Sequence, residues 1–141
     1  MMTLDRINAE ANLLNRKLPQ GVWRFQDMTT DHPYLVVAAK TNRGNLYTIR
    51  IELRDFPQSI PEAFVVKRLK DWQGNDIPVS AEMHFLGYKN GMSRICHYGN
   101  LSWTPGVSLY KVYIKCRLWL EMYEQHLATG NNIDYYLTHQ Q

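Results

Sequence analysis

The chain of 141 residues has the length of one ordinary domain, and a chain of that size buries close to 70% of its unfolded surface. Hydrophobic residues at 45% and charged residues at 21% exclude a disordered or collagen-like protein. The net charge is only +3, its 16 Lys and Arg form no basic block, and no window approaches the roughly eighteen apolar residues of a membrane span, so neither nucleic acid nor a membrane is an expected partner.

Residues Thr3 to Lys17 read as a helix with Thr3 as its cap, because Leu4, Ile7, Ala11, Leu14 and Leu18 recur at three- and four-residue spacing before Pro19 and Gly21 stop it. "VWRFQDM" alternates, with Trp23 and Phe25 on one side, as a strand does. "YLVVAAK", from Tyr34, is apolar almost throughout and reads as a central strand, followed by a turn at "TNRGN". In "NLYTIRIELRDF", Tyr47, Ile49, Ile51 and Leu53 face one way and Thr48, Arg50, Glu52 and Arg54 the other, which describes a strand with one wet face. Pro57 and Pro61 bracket a short crossing, "AFVVKRL" reads as a further strand, and "DWQGNDIP" as another turn.

Beyond an irregular stretch that carries Cys96, helical spacing returns. From Leu109 onward, Val112, Tyr113, Cys116, Trp119, Leu120, Tyr123 and Leu127 share a stripe, with Pro105 ahead of the start and Gly130 just past the end. The tail "NNIDYYLTHQQ" reads as a turn and an extended or weakly helical end. The sum is a single α+β domain over residues 1–141: an N-terminal helix, about four antiparallel strands in a meander, an irregular loop and a long C-terminal helix.

The opening "MMTLDRINAEANLLNRK" is charged and amphipathic, unlike a secretory signal, so the cytoplasm is the expected compartment and Cys96 and Cys116 are expected as free thiols. Cys116 falls on the apolar stripe of a helix and reads as core. Cys96 does not: Ser93, Arg94, His97, Asn100 and Ser102 surround it with polar neighbours, as at a surface groove. His32, His126 and His139 have no cysteine or carboxylate companions at ligand spacing, so no metal is expected, and no phosphate-binding glycine loop or other cofactor motif is present.

Two stretches resemble the ubiquitin-conjugating enzymes. "YTIRIELRDFPQSIPEAFV", Tyr47 to Val65, is similar to their strand and double-proline crossing. His84, Gly91, Ile95-Cys96, Trp103-x-Pro105 and Leu109 resemble their catalytic stretch in order and spacing. The similarity runs from about Leu4 to Leu127, with its specific part between Phe56 and Pro105. It implies the ubiquitin-conjugating-enzyme-like fold and puts Cys96 at the thioester-forming position. The sequence departs from the eukaryotic pattern where His84 is followed by Phe85 and Leu86 instead of Pro-Asn, where His84 stands two residues further from the cysteine, and where His97 and Tyr98 follow it. With "WLEMYEQHLATG" closing the core, these departures resemble divergent bacterial relatives from antiphage and ubiquitin-like modification operons.

That resemblance implies a transferase without cofactor. An activating enzyme, or another source of an activated carboxyl, supplies the C-terminal tail of a ubiquitin-like protein or of a cyclic-oligonucleotide-synthesising nucleotidyltransferase. The Cys96 thiolate holds the tail as a thioester and yields it to an amine. A homodimer is left open. Losing an oxyanion donor slows such a step by roughly a hundred- to a thousandfold, so another group must replace the missing asparagine. In an extended segment Tyr98 and Asn100 return to the face of Cys96 while His97 points away, which favours Asn100 or Tyr98; His84 is the third candidate. Two other functions fit the same residues: a catalytically silent scaffold of this fold, and a cysteine hydrolase pairing Cys96 with His84 or His97.

Overall fold

The computed structural model describes residues 1–97 and 102–139. Helix α1 spans Leu4–Lys17, and the Thr3 side chain accepts the amide of Arg6 at 3.1 Å, as its capping role requires. Its buried arc is centred on Glu10 and Leu14, with Ile7 and Leu18 at the margin. Leu4, expected on that arc, is 71% exposed. At about 100° per residue it falls roughly 80° round the helix from Leu14.

The sheet has six strands where about four were expected, all antiparallel, in the order β1-β2-β3-β4-β6-β5. The strands are β1 (Trp23–Gln26), β2 (Tyr34–Lys40), β3 (Leu46–Glu52), β4 (Ala63–Val65), β5 (Phe85–Lys89) and β6 (Met92–Ile95). The first four form the expected meander. The added pair is a hairpin in the stretch read as irregular, closed by Asn90 and Gly91, both with positive φ (53° and 75°), the backbone that a two-residue turn between right-twisted strands demands. Folding back through this hairpin lays β6 against β4 and leaves β5 at the edge. "AFVVKRL" is a strand only as far as Val65; Val66 is exposed, and the Lys67 amide turns back to the Val65 carbonyl.

One face of the sheet carries Leu35, Val37, Ala39, Ile49, Ile51, Val65, Phe85 and Ile95, all buried in one cluster with α2 (Leu109–Thr129). β2 lies between β1 and β3, the inner position that its composition predicts, and on the face away from α2 its Ala38 and Lys40 are exposed. Ser108 caps α2 through the Lys111 amide, and Gly130, at φ 79°, ends it. Leu127 lies on the expected stripe but is 42% exposed, because the inward position in the last turn belongs to His126, which meets the Trp72 amide and the Asn131 carbonyl. The tail forms a third helix, α3 (Ile133–His139), anchored by the fully buried Ile133. None of the described helices is long and apolar enough to cross a membrane.

Candidate active site around Cys96

Cys96 is the first residue past β6, and its thiol is half-buried. Ala63 and Phe85 pair with Ile95 from either side, so the register carries Cys96 between Glu62 of the β4 approach and His84 of the flap before β5. The Cys96 amide donates to the His84 carbonyl at 2.9 Å. The same carbonyl accepts the Trp119 indole N–H from α2, also at 2.9 Å. His84 adopts φ 47°, in the left-handed region uncommon for a side chain of this size, and its amide is held by Ala81. Its ring Nε2 lies 3.0 Å from Oδ1 of Asp134 in α3. The flap and the cysteine, expected to be close, are therefore bonded through the backbone, while the imidazole is directed to the C-terminal helix.

His97 is half-buried and not the solvated side chain that its polar neighbourhood allows. Burial pushes its pKa down to about 4, against a backbone hydrogen bond with Ile95 and with help from the Arg94 charge, so the ring is uncharged at neutral pH. Tyr98 and Asn100, the candidates for the oxyanion donor, lie outside the described residues.

Two neighbours expected to make the groove polar serve other purposes. Ser93 is fully buried; its Oγ accepts the Leu69 amide at 2.9 Å and donates to the Lys67 carbonyl at 2.7 Å, pinning the segment that follows β4. Arg94 has its Nε 3.2 Å from Oε2 of Glu62, so its charge is compensated by a carboxylate. Cys116 is fully buried and burial pushes its thiol far above the ordinary range, which leaves Cys96 as the thiol open to chemistry.

Trp103 and Arg6 tie the chain that follows to the double-proline crossing. Trp103 donates its indole N–H to the Pro57 carbonyl at 3.0 Å and sets its ring edgewise to Phe56 at 6.0 Å. Arg6 lies over the Phe56 ring and donates to the carbonyls of Pro105 (2.6 Å) and Val107 (2.9 Å). The double-proline crossing and the Trp-x-Pro segment, read separately in the sequence, thus pack on one another. Sequence reasoning missed Asp134 and Glu62, whose partners are distant in the chain, and the role of the Arg6–Glu10 pair, whose i,i+4 spacing is local but whose contacts with Pro105, Val107 and Leu109 are not.

The described residues contain no group of three or more His, Cys, Asp or Glu placed to hold a metal ion. A separate trough of about 790 Å³ crosses the open sheet face, where Arg50 and Arg54 face Glu52, Asp55 and Glu62 above Phe64. No family model, curated protein or solved structure matches the chain.

Proposed function

We propose that the chain is a ubiquitin-conjugating-enzyme-like transferase that carries a protein C-terminus as a thioester on Cys96 and passes it to an amine, in a bacterial antiphage setting. The observation that carries this reading is the free, only partly buried Cys96 at the end of a sheet strand, its backbone tied to His84, with the Trp103–Pro105 segment packed on Phe56–Pro57. These are the segments on which the sequence resemblance rests, and their contact supports the reading.

The chemistry follows from the thiol. The thiolate attacks an activated carboxyl, forming the C–S bond and expelling the activating group. An amine then attacks the thioester, forming the C–N bond and returning the sulfur as thiolate. An activating enzyme or other source of activated carboxyl is required, and the tail belongs to a ubiquitin-like protein or to a cyclic-oligonucleotide-synthesising nucleotidyltransferase.

A synthetic peptide bearing a C-terminal mercaptoethanesulfonate thioester tests the reaction without any partner. Exchange should load the peptide onto Cys96 in the wild type and in Cys116→Ser, and not in Cys96→Ser, as read by non-reducing gel and mass spectrometry. Added lysine should then discharge the adduct as an amide faster than it discharges the same peptide thioester of glutathione. Discharge no faster than from glutathione would indicate a scaffold, and release of the free peptide acid a hydrolase; either result ends the proposal.

A further inference from the structure

Amine attack on a thioester releases a proton, and the groups around residue 84 suggest where it goes. His84 is held on three sides: its amide by Ala81, its carbonyl by both Cys96 and Trp119, and its ring by Asp134. Asp134 is itself fixed to the same flap, because its amide donates to the Glu82 carbonyl at 2.8 Å. Helix α3 is therefore fastened to the flap twice, once through backbone and once through the imidazole.

The pairing selects a tautomer. A carboxylate only accepts hydrogen bonds, so Nε2, 3.0 Å from Oδ1, carries the ring proton, and in the neutral ring the lone pair sits on Nδ1. A ring so arranged is a proton acceptor on its second nitrogen, not the oxyanion donor that the sequence left open. The amide of Cys96 is not a donor for the oxyanion either, since it is committed to His84.

Resting on the thioester reading above, we infer that Asp134 is a positioning residue that holds His84 in its Nε2–H form, so that Nδ1 takes the proton of the amine attacking the Cys96 thioester. The amine nitrogen bonds to the carbonyl carbon, the C–S bond breaks, the sulfur leaves as thiolate, and the amine proton moves to Nδ1. The imidazolium so formed faces the Asp134 carboxylate, which stabilises it, though as a half-exposed partner by less than a buried one would. The C-terminal helix is thus part of the site.

Two measurements test this. Long-range ¹H–¹⁵N spectra of the free protein should show His84 as the Nε2–H tautomer, a preference weakened in Asp134→Asn; an Nδ1–H ring in the wild type overturns the assignment whatever the protein does. With the peptide-loaded protein, His84→Gln should slow discharge to lysine about a hundredfold and Asp134→Asn about tenfold, with loading unchanged. Asp134→Glu should recover part of the rate, and the double variant should be no slower than His84→Gln alone. Independent, additive losses would show that Asp134 does not act through His84 and would overturn the inference. A wild type that never discharges to lysine would instead overturn the thioester reading and with it the proton's source, while the spectrum would still decide the tautomer.

Discussion

Glu10 of α1 accepts the backbone amide of Leu109 at 2.7 Å and so caps the start of α2, a helix 99 residues further along the chain. The first amides of a helix have no partner within it, and Ser108 serves only that of Lys111. Glu10 supplies the buried Leu109 amide with Oε1 while its Oε2 takes Nε of Arg6 at 2.8 Å. Glu10→Ala should therefore cost about 1–3 kcal/mol of stability, the usual consequence of leaving a buried donor unsatisfied. Glu10→Gln, which keeps an acceptor, should cost less. Urea denaturation of the two variants checks this, and equal losses would deny the capping role.

The two thiols should separate cleanly under alkylation. Cys96 is accessible, whereas Cys116 is fully enclosed by the α2 core and burial holds its proton on. Iodoacetamide on the folded protein should modify one cysteine, Cys96, and reach Cys116 only in denaturant, as peptide mass mapping will read. Modification of Cys116 at a comparable rate under native conditions would contradict the packing described.

Glu124 gives stability a defined pH dependence. This α2 carboxylate is only 2% exposed, and its Oε2 accepts from Asn45 at 2.6 Å and from the Tyr47 hydroxyl at 2.9 Å. Burial pushes its pKa up, but the hydrogen bonds from Asn45 and Tyr47, with the Arg43 charge, outweigh it and leave the group below the usual carboxylate range. A depressed folded pKa stabilises the protein fully above the unfolded value, near 4.3, and the benefit disappears as pH falls through the folded one. Glu124→Gln should thus be less stable than wild type by about 1–3 kcal/mol at pH 7, with the gap narrowing below about pH 4. Thermal melts across that range test it; a gap independent of pH would mean the charge contributes nothing.

What was legible in the sequence was local. Thr3 as a cap, Gly130 as a terminator and the alternation of β3 all follow from chemistry within a few residues, and the structure carries each of them. The β5–β6 hairpin was obscured although Asn90-Gly91 signals it. Gly87 sits at an irregularity in the β5 register, and an inward serine breaks the apolar rhythm of β6. Ser93 tolerates that position because its hydroxyl finds partners 24 and 26 residues away, which no local pattern shows. The role of Arg94 is hidden for the same reason, its partner Glu62 lying just before β4, 32 residues away in the chain. The His84–Asp134 pair spans 50 residues and becomes visible only when α3 folds onto the flap.

One oxygen atom, the carbonyl of His84, receives both the indole of Trp119 and the amide of Cys96. Trp119 stands midway along the longest helix, fully enclosed and stacked on Tyr123. That oxygen works as a pivot pin: a slide or tilt of α2 carries Cys96 with it. The sulfur inherits the stiffness of the protein's interior, and loops may vary in length on either side of the pin without moving it.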